Sequence, residues 1–169
     1  LLSVNQRWMR KLSDDAFLAH VDVPLNNPER LRKAVPLLKE RSRTFEEVRE
    51  MLTGELSCLF EKPNLDRNPL VAKELPDCSG MTENALKSLS EAIKALPRGV
   101  TAEAVKEAIM PFADAEEAKA KGGRGAVLWP LRYALSGQER SPDPFTLISI
   151  LGPEESVSRV ESAIAILEK

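Results

Sequence analysis

An all-α fold of two consecutive helical bundles is what this 169-residue sequence predicts. Capped segments with apolar residues at helical spacing recur along nearly the whole chain. No segment alternates apolar and polar residues cleanly, and β-branched residues are sparse outside the helical stripes. One proline-rich stretch, Glu61–Pro76, interrupts the series. Its end places the boundary between a first subdomain, residues 1–76, and a second, residues 77–169.

The opening LLSVNQRWMRKL is amphipathic, unlike the basic stub and apolar core of a signal peptide. Ser13 caps a helix over Asp14–His20. Asn27 with Pro28 gives an N-cap followed by proline at the first helical position, where the missing N–H costs nothing. The helix beyond carries Leu31, Ala34, Val35 and Leu38 on one stripe, and Pro36 inside it is expected to kink the helix or shift its ladder. Thr44-Phe45-Glu46-Glu47 is a capping box that opens a short helix with Phe45, Val48 and Leu52 inward and Gly54 as its stop. Pro63, Pro69 and Pro76, with Asn64 and Asn68, make the next stretch a loop-rich connection.

Thr82 then caps a long helix whose Ala85, Leu86, Leu89, Ala92, Ile93 and Leu96 form a wide apolar face, ended by Pro97 and Gly99. Thr101 caps the next, with Val105, Ala108 and Ile109 inward and Pro111 at its end. Ala113–Ala120 is a further helix, closed by Lys121-Gly122-Gly123. Val127–Ser136 is apolar and arginine-bearing, helical after Trp129-Pro130. Pro144–Leu151 is a short apolar helix ended by Gly152, and Pro153 starts the last helix with Val157, Val160, Ile164 and Leu167 on one stripe.

Composition narrows the function classes. Hydrophobic residues at 43% and charged residues at 30% suit a globular protein rather than a disordered one. A net charge of −2 gives no overall basic field, so any nucleic-acid site must be a local patch. Two cysteines without a CxxC pair and a single histidine argue against a structural zinc, which takes four such ligands. Cys58 and Cys78 are read as reduced thiols of a cytoplasmic protein. No apolar run approaches the length of a membrane span.

Catalytic chemistry has little to stand on. Gly122-Gly123-Arg124-Gly125 lacks the Lys-Ser/Thr and the preceding strand of a phosphate loop. His20 sits where a helix C-terminus favours it. Glu46-Glu47, Glu116-Glu117 and Glu154-Glu155 fall in first turns or on polar faces, where they complement the helix dipole. No catalytic residue is assigned. The basic residues say more. From Lys119 to Arg140 five of them (Lys119, Lys121, Arg124, Arg132, Arg140) stand against one acid, Glu139. Lys39, Arg41 and Arg43 form a second cluster. Arginine's planar fork suits phosphates and base edges, although composition alone fits a solvated, salt-bridged surface better.

The order of four pieces changes that weighting: Leu128-Trp129-Pro130-Leu131-Arg132-Tyr133-Ala134-Leu135-Ser136-Gly137, then Ser141-Pro142-Asp143-Pro144-Phe145, then Ile150-Leu151-Gly152, then Arg159. Together they resemble the end of bacterial-type glutamyl-tRNA synthetases. That family carries a run like P-L-R-x-A-L-T-G, then Ser/Thr-Pro, then L-G before a final arginine-bearing helix. Ser136 replaces the usual Thr. Leu37-Leu38-Lys39-Glu40-Arg41 with Thr44-Phe45 resembles the family's helix-to-helix step in the first anticodon-binding subdomain. Val4-Asn5-Gln6-Arg7-Trp8-Met9-Arg10 resembles its L-N-x-x-Y-I segment, with Trp8 at the usual Tyr. The resemblance covers almost the whole chain, most closely residues 126–167.

The resemblance implies a parent enzyme that joins glutamate to tRNA using ATP and magnesium in an N-terminal class I catalytic domain. The HIGH-like and KMSKS-like signatures of that domain are absent here. A chain starting on Leu1 rather than Met is therefore expected to be a fragment. It would be inactive alone, hold no cofactor of its own and be monomeric. Its partners would be the anticodon stem-loop of glutamate tRNA and the parent's catalytic domain, with no membrane. Unpaired anticodon bases can be stacked upon and read at their edges. The resemblance puts Arg41, Arg132, Ser141, Pro142, Pro144 and Phe145 at that surface. Arg41 and Arg132 would give donors, Ser141-Pro142 a rigid backbone edge, and Phe145 or Pro144 an apolar platform. Trp129 and Leu131 are expected in the core. Arginine at the place of Arg41 accompanies rejection of glutamine tRNA in the family. The alternatives are a helical protein-interaction module with no tRNA role, and a complete small enzyme whose site the sequence does not display.

Overall fold

The computed structural model describes residues 2–23, 26–71, 79–115 and 122–169, and every regular element among them is helical. The chain divides into two compact units, Leu1–Glu61 and Lys62–Lys169. The first holds α1 (Leu2–Lys11), α2 (Asp14–Leu18), α3 (Pro28–Arg41), α4 (Phe45–Thr53) and a 3-10 turn, Ser57–Leu59. The second holds α5 (Arg67–Leu70), α6 (Ser79–Lys94), α7 (Ala102–Ala113), α8 (Arg124–Ser136), α9 (Pro144–Leu151) and α10 (Pro153–Leu167).

Local capping chemistry sets most starts in the first unit. The Ser13 hydroxyl accepts from the Ala16 N–H at 3.2 Å, Asn27 Oδ1 from Arg30 at 3.0 Å and Thr44 Oγ1 from Glu47 at 3.1 Å. Glu47 reaches back to the Arg43 N–H, one residue before the cap. In α3, Ala34, Val35 and Leu38 are fully buried while Pro36 faces solvent. The helix is uninterrupted there, because the Arg32 carbonyl that loses its partner lies on the wet side. Met9, Phe17, Val48, Leu56 and Leu59 complete this core with no exposed surface. Gly54 closes α4 through close approach, not a left-handed turn: a Cβ there would meet the Glu50 carbonyl oxygen at 2.9 Å.

In the second unit α6 and α10 pack along one another. Their surface bridges, Lys87–Glu168 at 2.9 Å and Lys94–Glu161 at 3.4 Å, advance in opposite directions, so the pair is antiparallel. Leu86, Leu89 and Ile93 of α6, Val105 and Ile109 of α7, and Val160 and Ala163 of α10 are fully buried, and so are Leu131, Ala134 and Leu135 of α8.

Several elements differ from the sequence expectation. The helix after Ser13 stops at Leu18. α6 begins at Ser79, a turn before Thr82, and Thr82 is buried inside it at 4% exposure rather than capping it. α7 passes through Pro111 to the buried Ala113; Glu107, whose carbonyl Pro111 leaves unpartnered, is exposed to water. α8 starts at Arg124 and runs through the buried Pro130. The expected Ala113–Ala120 helix lies outside the described residues from Glu116 onward, as does the boundary after Pro76. The division observed comes earlier, because residues 62–70 pack within the second unit. Trp129 Nε1 donates to the Pro69 carbonyl at 2.9 Å, the Asp66 N–H donates to the Tyr133 hydroxyl at 3.3 Å, and Arg67 donates to the Ile166 and Leu167 carbonyls. Arg67–Leu70 is a single helical turn with Leu70 fully buried, in a stretch that reads as loop.

Candidate nucleic-acid interface

The second half of α8 and the loop to α9 carry most of the residues singled out by sequence. α8 ends at Gly137, whose φ of +66° is a left-handed cap and whose N–H bonds the Tyr133 carbonyl at 2.7 Å. A Cβ at Gly137 would sit 2.8 Å from Pro63 Cβ and 3.0 Å from the Asn64 carbonyl oxygen, so glycine is required twice over. The Ser136 hydroxyl donates to the Arg132 carbonyl at 2.8 Å and accepts the Gln138 N–H at 3.2 Å, which ties the turn to the helix. Asp143 then caps α9, taking the Thr146 N–H at 2.9 Å and its hydroxyl at 2.7 Å.

Arg132 projects from this scaffold partly exposed. Its guanidinium carbon lies 4.7 Å from the centre of the Trp129 ring, and Nη2 donates to the Glu139 carbonyl at 3.1 Å. Among the described residues no carboxylate pairs with it. Ser141 is half-buried, with its hydroxyl 3.2 Å from the Pro142 carbonyl oxygen. Pro142 and Pro144 are buried, so of the two residues expected to offer an apolar platform only Phe145, half-buried, has open surface. Leu131 is core, as its place on the stripe implies. Trp129 is not: it is half-buried and carries Arg132. Sequence reasoning missed that role, although the i,i+3 spacing of Trp129 and Arg132 on one helix was the available signal.

Arg159, in the family-like final helix, proves structural. It is 3% exposed, pairs with Glu155 at 2.9 Å and donates to the Leu135 carbonyl at 2.7 Å. It thereby anchors the last turn of α8, three residues beyond Arg132. Arg124 is tied to Asp114. The hydrogen bond with Asp114 also raises the Arg124 pKa above its ordinary value. Lys119 and Lys121 lie outside the described residues.

Arg41 belongs to the first unit. It is the last residue of α3, exposed, with Nη1 3.4 Å from Glu55 Oε1. That helix end is secured by Arg10, which donates to the Lys39 and Glu40 carbonyls at 3.2 and 3.1 Å, and by Asn5, which donates to the Arg43 carbonyl at 2.6 Å. Lys39 is spent locally: Nζ donates to the Leu12 carbonyl and to Asp14, both at 2.8 Å, and lies over the Phe17 ring. His20 lies against Phe45 and Trp8, at ring separations of 5.0 and 5.9 Å. Glu46 and Glu47 are engaged with Arg49 and the Arg43 N–H, and Glu154 and Glu155 with Arg98 and Arg159. Among the described residues no cluster of His, Cys, Asp and Glu could hold a metal, and no helix is long and apolar enough to cross a membrane.

A family model described as an anticodon binding domain matches residues 7–164. Glutamate–tRNA ligase 1 of Mesorhizobium japonicum is 33% identical over 181 residues, covering 97% of this chain and 35% of that protein. The glutamate–tRNA ligase of Clostridium botulinum (strain Loch Maree / Type A3) is 31% identical over 168 residues, covering 95% of this chain and 32% of its own length. A crystal structure of a glutamate tRNA ligase from Elizabethkingia meningosepticum, in complex with its amino acid, superposes with a TM-score of 0.69 at 29% identity, covering 98% of this chain and 32% of that one. The chain thus spans about a third of the length of the curated relatives it matches.

Proposed function

The chain belongs to the anticodon-binding domain family, in the form found in glutamate–tRNA ligases, and from that premise we propose that it holds the anticodon stem-loop of glutamate tRNA. The observation that carries the reading at the site is Arg132, an arginine with no carboxylate partner among the described residues, partly exposed over an aromatic ring. An unpaired base offers a π-face and an acceptor-bearing edge, and a guanidinium held flat can meet both. Ser141 and Phe145 supply a polar edge and an apolar face from the same unit. Pro142 and Pro144, being buried, act by stiffening the loop. Arg41 supplies a donor from the first unit once it exchanges Glu55 for RNA.

The parent enzyme attaches glutamate to tRNA, with ATP and magnesium handled by a catalytic domain whose signatures this sequence lacks. The Gly122–Gly125 segment opens α8 beside the Arg124–Asp114 pair. On the reading proposed here the chain acts by binding and orientation, as a monomer in the cytoplasm, alongside that domain. Two measurements test the reading. The purified chain should bind a labelled anticodon stem-loop of glutamate tRNA, more weakly as salt rises, and should show no ATP–pyrophosphate exchange. Salt-independent or absent RNA binding would favour a protein-interaction module instead. Exchange activity free of contaminating synthetase would refute the division of labour.

A further inference from the structure

We propose that Trp129 is the positioning residue of the Arg132 site and that the stacked pair is a platform for one unpaired nucleobase, an inference that rests on the anticodon-binding reading above. The indole is fixed at its polar end, where Nε1–H donates to the Pro69 carbonyl at 2.9 Å. Pro69 is itself held, because Leu70 is buried and Arg67 donates to the last carbonyls of α10 at 2.9 and 3.0 Å. One turn along α8, the Arg132 guanidinium lies over the ring at 4.7 Å. A second carbonyl, that of Glu139, takes an Nη2–H at 3.1 Å. Two backbone carbonyls from distant parts of the unit thus fix one cation through one ring.

A guanidinium carries five N–H donors and stays charged at any working pH. Here the guanidinium carbon lies over the ring, 4.7 Å from its centre, and Glu139 takes one donor. Among the described residues nothing else hydrogen-bonds it, so the outer face and the remaining donors are free for a ligand. A flat, charged face backed by an aromatic ring fits the π-face of a base. The side donors then meet acceptors at the base edge. Without Trp129 the charge persists but the plane is no longer set. Attraction for phosphate should survive, and discrimination between bases should not.

The test uses the full chain with Trp8→Phe, so that Trp129 is the sole source of tryptophan emission. The probes are the anticodon stem-loop of glutamate tRNA and the same stem-loop with its anticodon bases changed. Adding the unchanged stem-loop should alter Trp129 emission. Trp129→Leu should lose roughly tenfold of the preference between the two probes, with the salt dependence of binding unaltered. Trp129→Phe keeps a ring face without the Nε1–H and should retain most of the preference. If Trp129→Leu keeps its full preference while Arg132→Ala loses it, the platform is wrong and the anticodon reading stands. If Arg132→Ala also keeps it, the anticodon reading of this site fails. Should Trp129→Leu not fold, Trp129→Phe and the emission signal decide: a binding event that leaves the emission unchanged overturns the platform.

Discussion

The two units hold their candidate arginines in opposite ways. Arg41 in the first is balanced by a carboxylate, Glu55, at 3.4 Å, with side chains 40% and 38% exposed. Water screens such a pair, and its contribution is about 0–1 kcal/mol. Arg132 in the second has no carboxylate partner among the described residues; a ring and a backbone carbonyl hold it. On the proposed reading, RNA would displace Glu55 to reach Arg41 and would meet Arg132 already oriented. The neighbours follow the same division. In the first unit Lys39 and Arg32 are paired with Asp14 and Asp15. In the second, the buried Arg159 pairs with the half-buried Glu155 and holds the Leu135 carbonyl in the last turn of α8. A paired arginine contributes charge that can be recruited, and a stacked one contributes direction.

The largest effect expected bears on that support. Arg159→Met removes the cation from beside Glu155 and leaves the Leu135 carbonyl unpartnered. The second unit should lose about 3 kcal/mol, the upper end of the cost of leaving a buried acceptor without its donor. Denaturant unfolding measures it, and a loss below about 1 kcal/mol would mean that Arg159 is not the anchor. Gly137→Ala comes next, because it forces φ of +66° on a residue with a Cβ and drives that Cβ to 2.8 Å from Pro63. A cost of about 2 kcal/mol follows from strain and clash together. A neutral outcome in the same unfolding experiment would show that the turn can rearrange. The smallest effect sharpens the contrast between the arginines. Glu55→Gln releases Arg41 and should tighten stem-loop binding at low salt by about 0.5 kcal/mol, fading as salt rises. Weaker binding would instead make Glu55 the residue that aims Arg41.

How much of this was legible in the sequence depends on the range of the interaction. Ser13, Asn27, Thr44, Thr101 and Asp143 cap with partners three residues away, and of these the first four were assigned from sequence alone. In the sequence Pro111 and Pro130 read as helix boundaries, because local chemistry makes them so. Burial of Ala113 on one side and of the Pro130 ring on the other carries α7 and α8 through. Residues 62–70 read as a linker, yet Arg67 is tied to carbonyls 99 and 100 positions away, a partnership with no local trace. The site was half legible. The motif run around Arg132 pointed to it, and the family match over residues 7–164 agrees with the resemblance. Trp129 escaped because α8 is apolar nearly all round, with Val127, Pro130, Leu131, Tyr133, Ala134 and Leu135 buried, so periodicity does not show which face meets water.

The central claim is that this chain reads anticodon bases and that Arg132 does so directly. Its most direct test is the affinity of the chain and of Arg132→Ala for the glutamate-tRNA anticodon stem-loop and for an anticodon-changed variant, each at two salt concentrations. The chain should prefer the unchanged anticodon. Arg132→Ala should lose about 1–3 kcal/mol on that probe, as for a base-edge arginine in DNA readout, and clearly less on the changed one. Equal weakening of both probes with a flatter salt dependence would reduce Arg132 to a phosphate contact, and unchanged affinities for both would contradict the claim outright.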